Sequence, residues 1–250
     1  MLKIGVADYG MSVWYGGLYD YEQRLDDLKA IGYDGLERLP AASADSAMQK
    51  LVALAERRMD FATCETNNIE LNIKWTAALR KEYIWANKPA YIKDDFDAYC
   101  RTTRHLCQAC ARYGIRASVH NHLGSLVETQ EQLEEYLARC PEVGLIFDTG
   151  HLGVAGGDLL HIVEKYYDRI TAVHLKGWYS TDSSAKDWWA QGYFCGLGQG
   201  NTEIDNEGVV KALVGKGYDK WLFIEHDTHK QDPLLDLGES RKLLAGWLAE

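Results

Sequence analysis

The sequence lacks any uninterrupted apolar run of about 18 residues, the length that a membrane-spanning helix needs. Its first residues, MLKIGVADYG, contain no basic segment followed by a long apolar stretch and a cleavage site, so they do not resemble a secretory signal. We therefore expect a cytoplasmic protein with no membrane partner.

Positive charge is also scarce. Lys and Arg number 27 against 37 Asp and Glu, which gives a net charge of −10. Neither counterion release from a nucleic acid nor attraction to anionic lipid favours so acidic a protein. We expect no nucleic-acid partner.

The motifs of several enzyme classes are missing. No G-x-G-x-x-G follows the first predicted strand, which leaves a dinucleotide cofactor unsupported, and no G-x-S-x-G elbow is present. GLGQG (Gly196–Gly200) is not followed by the lysine-containing helix start of a P-loop. The six cysteines are typical of reduced thiols, and the CQAC pair lies in a helical pattern with no second pair to complete a zinc site.

Short apolar runs alternate with longer amphipathic segments, which predicts repeated β/α units around a parallel sheet. The predicted strands are Leu2–Ala7, Tyr33–Glu37, Met59–Cys64, Ile115–His120, Val143–Asp148, Ile170–Leu175 and Trp221–Glu225. The predicted helices are Tyr21–Ala30, Ser46–Arg57, Asp94–Tyr113, Gln130–Arg139, Leu159–Tyr167, Glu207–Lys216 and Ser240–Leu248. In 250 residues this repeat favours an α/β fold, the (β/α)₈ TIM barrel, over a doubly wound open sheet. No linker divides the chain, so we expect one TIM-barrel domain over residues 1–250.

Two regions depart from this regular repeat. The eighth strand must come from Thr66–Lys88, where Ile69–Ile73 (IELNI) is the candidate, so the fourth β/α unit is expected to be compressed, irregular or missing. Gly177–Asn206 is the longest connection without a predicted strand, and its aromatic residues and glycines are typical of a loop that covers a site.

Polar side chains stand at the carboxyl ends of several predicted strands, which open at one face of a parallel barrel. Any one of them could be an ordinary solvated strand end. Together they would repel one another or leave donors unpaired unless a cation organised them. Carboxylate and imidazole ligands suit one Mn²⁺, Co²⁺ or Zn²⁺, with Mg²⁺ less favoured because it prefers oxygen. The residues are His120 and His122, Asp148, His174 with Lys176, and Glu225, with Glu37 across the barrel.

The segment GLIFDTGHL (Gly144–Leu152) combines a buried strand with a polar ending. We expect Gly150 to permit a turn that brings His151 back over the rim, where it could bond a substrate hydroxyl or orient a ligand. A cap on the following segment is the alternative role for His151.

These motifs resemble the xylose-isomerase-like barrel superfamily of sugar isomerases, epimerases and dehydratases, and within it the inosose dehydratase type. The resemblance covers Ile115 to Asp227, and the first two β/α units with Glu37 fit it loosely. Endonuclease IV shares this fold family, but it needs ligands for three metals and a basic surface facing DNA, which the net charge disfavours. The matching elements are HNHLG (His120–Gly124), GLIFDTGH (Gly144–His151), AVHLKG (Ala172–Gly177), GLGQG and GYDKWLFIEHD (Gly217–Asp227).

The resemblance implies that Asp148, His174 and Glu225 bind one divalent metal ion, Mn²⁺ being the first candidate. It also implies that His151 and Lys176 contact the substrate. Isomerases and epimerases of the superfamily usually carry a glutamate where this chain has His120, whereas the dehydratase-like branch resembles it with H-x-H-x-G. We take His120 as the fourth ligand.

We therefore expect a metal-dependent isomerase or epimerase that acts on a keto-sugar, keto-inositol or related polyol through a metal-stabilised enediolate. A dehydratase or lyase of the inosose dehydratase type, which expels a β-hydroxyl or a glycosidic oxygen, is the alternative. A non-catalytic sugar-binding or scaffold subunit is an alternative of another class. We expect a homo-oligomer, with a neighbouring subunit available to complete the pocket wall. The candidates for proton transfer are His151, Glu37 and His122, and those for contacts with sugar C–H groups are Trp14, Trp178 and Trp188.

Overall fold

The computed structural model describes residues 1–7, 19–227 and 230–249, and it has the predicted (β/α)₈ TIM-barrel fold. The strands are β1 (Lys3–Val6), β2 (Gly35–Pro40), β3 (Asp60–Glu65), β4 (Tyr83–Trp85), β5 (Arg116–His120), β6 (Gly144–Asp148), β7 (Ile170–Leu175), β8 (Gly177–Ser180), β9 (Gly192–Cys195) and β10 (Trp221–Ile224). Eight of them form one parallel sheet in the order β3-β2-β1-β10-β7-β6-β5-β4. The barrel is nearly closed, with a seam between β3 and β4 that no ladder of hydrogen bonds joins.

Helices cover the outside of the sheet, and most of them begin at a polar residue whose side chain accepts a hydrogen bond from the first turn. The helices are α1 (Tyr21–Ile31), α2 (Ala44–Glu56), α3 (Ile69–Ala78), α4 (Phe96–Ala111), α5 (Gln130–Arg139), α6 (Thr149–Val154), α7 (Leu159–Tyr166), α8 (Trp188–Gln191), α9 (Asn206–Gly215) and α10 (Pro233–Ala249). The side-chain caps are Asp20, Ser43, Asn68, Asp95, Thr129, Asp148, Asp158 and Asp205. None of the helices in the described ranges combines the length and the apolar character that crossing a bilayer requires.

The seven strands predicted from sequence are all present, with ends that differ by at most three residues. The predicted helices are present as well, although α10 starts well before the expected Ser240. Its early start follows from Asp232, whose Oδ1 accepts from the backbone N–H groups of Leu234 and Leu235 at 2.9 and 3.1 Å. Pro233 is then well placed as the first helical residue, because its missing N–H is not needed there.

The fourth unit corrects one prediction. Ile69–Ile73 is the start of helix α3 and not a strand, and the missing strand is β4, only three residues long. The alternation in IELNI suggested a strand, but Asn68 caps the segment by accepting from the N–H groups of Glu70 and Leu71 at 2.8 and 3.2 Å. The helical spacing then buries Ile73 and Thr76 on one face. The unit is therefore compressed, as expected, and complete.

The connection from Gly177 to Asn206 corrects a second prediction, because it is not strandless. Strands β8 and β9 pair in it as an antiparallel hairpin beside the barrel. Trp178 and Phe194 face each other across the hairpin, with ring centroids 4.9 Å apart, and form a small cluster with Leu123. This apolar cluster fixes the hairpin over the ends of β5 and β6.

We predict that Asn68→Ala lowers the free energy of unfolding by about 1 kcal/mol, because two N–H groups at the start of α3 lose their acceptor. Urea unfolding followed by circular dichroism measures the change. Asn68→Asp, which keeps the acceptor, is the matched control and should remain within about 0.5 kcal/mol of the original protein. Equal loss in both variants would contradict the capping role.

Candidate metal centre and catalytic site

Four polar side chains from four barrel strands meet at the carboxyl-terminal rim. Their potential ligand atoms lie within 4.8 Å of one another, and three of the four residues are buried. So tight a group of nitrogen and oxygen donors is a candidate site for a divalent metal ion. The four residues are His120, Asp148, His174 and Glu225.

Strand alternation explains why these side chains point inward. In β6 the barrel-core residue Ile146 precedes Asp148 by two positions, and in β7 Ala172 precedes His174 in the same way. Residues two apart on a strand share a face. Asp148 and His174 are also direct register partners between β6 and β7, so the backbone pairing itself places the carboxylate beside the imidazole.

Asp148 uses its two oxygens differently. Oδ1 accepts from the backbone N–H of His151 at 2.8 Å and so caps α6. Oδ2 faces the cluster, 3.2 Å from Nε2 of His120, 3.3 Å from Nζ of Lys176 and 3.7 Å from Nδ1 of His174. Burial opposes ionisation, but the positive charge of Lys176 outweighs it and holds the pKa of Asp148 well below its usual value. The carboxylate is therefore ionised and available as a ligand.

His174 lies between two carboxylates. Its Nδ1 is 2.8 Å from Oε2 of Glu225, and its Nε2 is 3.1 Å from Oε1 of Glu37. Burial works against protonation, yet the charges of Glu37 and Glu225 raise the pKa of His174 well above its ordinary value. A metal bound through Nδ1 would replace the proton that the ring attracts there.

Lys176 is the central cation of the site, and its side chain is only 1% exposed. Nζ lies 2.9 Å from Glu225, 3.1 Å from Asp227 and 3.1 Å from Nε2 of His151. Burial disfavours the charged form, but the surrounding carboxylates raise the pKa of Lys176 above its ordinary value. The amine stays protonated and cannot serve as a base near neutral pH.

The imidazoles of His122 and His151 lie side by side, with ring centroids 3.8 Å apart. Nδ1 of His122 contacts the carbonyl of Leu123 at 2.6 Å and so donates to it, which in the neutral ring leaves the lone pair on Nε2. His151 is fully buried, and burial together with Lys176 lowers its pKa well below the ordinary value. Nδ1 of His151 lies 3.3 Å from the backbone N–H of Leu123, and Nε2 lies 3.1 Å from Nζ of Lys176. A neutral imidazole accepts a hydrogen bond at only one of its two nitrogens. The tautomer of His151 therefore determines which of the two contacts is a hydrogen bond.

Gly150 has a different function from the predicted turn. It lies within helix α6 and is not among the glycines with positive φ. A Cβ at this position would come within 2.6 Å of the Cβ of Lys176 and 3.1 Å of the ring of Phe194. Glycine is thus required for close approach of α6 to the Lys176 side chain, and the helix itself carries His151 over the rim.

Glu37 lies across the ring of His174 from Glu225 and is completely buried. Its Oε1 accepts from the hydroxyl of Tyr83 at 3.0 Å and from the indole N–H of Trp85 at 3.1 Å. Burial raises its pKa, but His174 more than compensates, so the pKa of Glu37 lies below its usual value. Both donors come from β4, the strand that sequence patterns did not reveal.

The predicted aromatic residues occupy different positions. Trp188 is half-buried, and its ring lies nearly perpendicular to those of His122 and His151, at 6.2 and 6.3 Å between ring centroids. Trp178 is 3% exposed and packs under the hairpin against Phe194, whose ring in turn lies 4.5 Å from that of His151. Trp14 lies outside the described residues.

Two neutral side chains that sequence reasoning missed hold the rim together. Asn121 pairs with the backbone of Asp148 in both directions, each bond 2.9 Å long. Asn206 donates to the carbonyl of Lys176 at 2.9 Å and accepts from the hydroxyl of Thr149 at 2.5 Å. The position of Asn121 between two candidate site histidines could have indicated its role. No local sequence pattern indicates a role for Asn206.

The donor set fits a divalent ion. Asp148 and Glu225 are ionised, since Lys176 and His174 hold the pKa of Glu225 well below its usual value against the effect of burial. Two imidazoles and two carboxylates from rigid strands give the mixed nitrogen and oxygen chemistry of Mn²⁺, Co²⁺ and Zn²⁺ sites. His120 adds to the fit, because burial lowers its pKa and so favours the neutral, ligating ring.

Trp85 also adjoins a cavity of about 540 Å³ at the seam between β3 and β4. Its ring lies 4.8 Å from that of His120 and 5.8 Å from that of His174. The lining mixes aromatic and polar groups, among them Arg38, Asn87 and Tyr91. A cavity of this size and character next to a reactive cluster is typical of a small-molecule site.

The sequence matches the xylose isomerase-like TIM barrel family over residues 65–247. An inosose dehydratase from Lactiplantibacillus plantarum is 29% identical over 161 residues, which is 60% of this chain and 54% of that protein. The chain therefore spans about half the length of the curated relatives that it matches.

Two solved structures resemble the whole barrel. A probable 3-DHS dehydratase from Bacillus anthracis has a TM-score of 0.71 at 15% identity, covering 97% of this chain and 98% of that one. D-Psicose 3-epimerase from Clostridium cellulolyticum, solved with D-tagatose, also has a TM-score of 0.71, at 12% identity, covering 99% of this chain and 98% of that one. At these identities the similarities establish the fold alone.

We predict that Asp148→Asn weakens Co²⁺ or Mn²⁺ binding at least about 100-fold while leaving the protein folded, because asparagine still caps a helix but lacks the charge. Isothermal titration calorimetry measures the affinity. Asp158→Asn is the matched control, since Asp158 caps α7 in the same way and is remote from the cluster. Undiminished metal binding by Asp148→Asn would refute the ligand assignment.

Proposed function

The chain belongs to the xylose isomerase-like TIM barrel family, and on that premise we propose that it is a divalent-metal-dependent enzyme acting on a keto-sugar, keto-inositol or related polyol. The observation that carries this proposal is the four-donor cluster at the rim, with two imidazoles and a permanent cation beside it. The name of the L. plantarum relative and the cavity next to Trp85 support a polyhydroxylated substrate.

The metal would be held by His120, Asp148, His174 and Glu225, with Mn²⁺ as the first candidate. When bound, such an ion polarises a substrate carbonyl and makes the neighbouring C–H more acidic. Lys176 supplies a fixed positive charge for an oxygen that becomes more negative during the reaction.

In this proposal the two adjoining histidines, His122 and His151, transfer protons. His122 is half-buried, and the neutral ring has its lone pair on Nε2, which suits a base that removes a proton from carbon. His151 is neutral and contacts Lys176, so it can exchange a proton with a substrate hydroxyl or relay one. Glu37 as a third proton-transfer group stays a prediction.

We infer that elimination of a β-oxygen follows proton removal, which would make the protein a dehydratase or lyase. Two points support this: the curated relative is named a dehydratase, and an imidazole occupies position 120, so the site lacks a carboxylate there. Return of the proton to carbon, giving an isomerase or epimerase, is the second candidate. The adjoining rings of His122 and His151 would serve an isomerase that returns the proton on the same face of the substrate.

The expected location and assembly of the protein stay predictions. They are a cytoplasmic location and a homo-oligomer. Contacts of Trp178 and Trp188 with substrate are also part of the proposal, with Trp188 better placed because it is more exposed and its ring lies 6.2 Å from that of His122.

Incubation of the metal-loaded protein in D₂O with a keto-inositol, a ketohexose and a 3-keto-glycoside tests the reaction. We expect loss of water or of the glycosidic alcohol from one of them, seen by mass spectrometry. Deuterium at an α-carbon or inverted configuration without elimination would favour the isomerase or epimerase. No exchange and no product with any of them, together with tight sugar binding, would favour a non-catalytic binding subunit.

We predict that His122→Gln lowers the turnover of the active substrate by about 10²- to 10⁴-fold, because the base is lost, with metal content unchanged. Steady-state kinetics and metal analysis check both parts. His161→Gln provides the control, as His161 is exposed and pairs with Glu134 on the surface. Full activity in His122→Gln would show that His122 is not the base and would favour His151 as the base instead.

A further inference from the structure

The carboxylate of Glu37 is held inside the barrel by side chains of β4. The residue has no exposed surface, and within residues 1–7, 19–227 and 230–249 its Oε2 has neither solvent access nor a hydrogen-bond partner. Its Oε1 is occupied by Tyr83 and Trp85. A substrate group could take the place on Oε1 only by displacing the hydroxyl of Tyr83 or the indole of Trp85.

The geometry of His174 indicates what the buried carboxylate does. Nδ1 points toward Glu225 and Asp148, at 2.8 and 3.7 Å, and so belongs to the donor cluster. Nε2 points away from the cluster, 3.1 Å from Glu37, as an ion-pair contact whose angle falls short of a hydrogen bond. A ring that binds a metal through Nδ1 must carry its remaining proton on Nε2. Glu37 is the negative group that faces that proton.

We propose that Glu37 is a positioning residue, held by Tyr83 and Trp85 of β4, that keeps Nδ1 of His174 directed at the metal. The proposal rests on the metal-binding part of the proposed function. Trp85 reinforces the arrangement, because its indole donates to Glu37 while its ring lies against those of His120 and His174. The short fourth strand thus supports two of the four donors.

Glu37→Gln and Tyr83→Phe test the assignment through metal affinity and the visible spectrum of the bound Co²⁺, measured on the whole protein. We expect Glu37→Gln to weaken Co²⁺ binding by about 10- to 100-fold and to change the spectrum, as for other groups that orient a metal-binding histidine. Tyr83→Phe should give a smaller loss of the same kind. Tyr33→Phe is the matched control, because Tyr33 is an equally buried tyrosine whose hydroxyl donates to the carbonyl of Leu237.

Nitrogen NMR of the ring of His174 in the Zn²⁺-loaded protein gives a second measurement. We expect the proton on Nε2 in the original protein and a shifted Nε2 signal in Tyr83→Phe, which keeps the assignment testable if Glu37→Gln does not fold. Unchanged affinity, spectrum and ring signal in the variants would overturn the proposal, and loss of turnover alone in Glu37→Gln would make Glu37 a catalytic residue. An original protein that binds Co²⁺ but turns over no substrate would refute the proposed reaction and leave this test intact. No metal binding by the original protein would overturn both.

Discussion

The rim of the barrel depends on one buried ammonium group that compensates the carboxylates around it. Nζ of Lys176 lies within 3.3 Å of Asp148, Glu225 and Asp227. Carboxylates brought so close together away from water would lose several kcal/mol of hydration and would repel one another. Because Lys176 and His174 supply the opposite charge, the strands can present their donors together before any ligand arrives. The requirement for glycine at the contact between α6 and Lys176 follows from the same packing.

The irregular part of the barrel, between β3 and β4, lies beside the cavity next to the donor cluster. Strands β3 and β4 are not joined by ladder hydrogen bonds, and the cavity next to Trp85 lies at this seam. A three-residue strand is sufficient there, because its contribution to the rim is two side chains, Tyr83 and Trp85, that bond to Glu37. The compressed fourth unit therefore has two effects: it leaves the cavity beside the donor cluster, and it holds Glu37 in place.

The parts predicted from sequence are those that a local pattern determines. An apolar run ending in a polar residue predicted β6 and placed Asp148 at the rim, and alternation then predicted which neighbours face the same way. The parts that were missed depend on contacts distant in sequence. The alternation of apolar and polar residues in Ile69–Ile73 suggested a strand, but the segment is a helix that Asn68 caps. The sequence around Gly150 likewise did not predict that the side chain of Lys176 packs against this glycine.

The identity of residue 120 connects the structure to the choice of reaction. A glutamate there would give the cluster three carboxylates, whereas His120 leaves two, Asp148 and Glu225. A metal held by this less negative donor set would polarise a substrate carbonyl more strongly, and the site has one carboxylate fewer that could act as a base. The proposed proton-transfer groups, His122 and His151, adjoin each other with their rings 3.8 Å apart. Elimination needs a base and a proton source near one another, so this arrangement fits it better than proton transfer to the opposite face of a sugar.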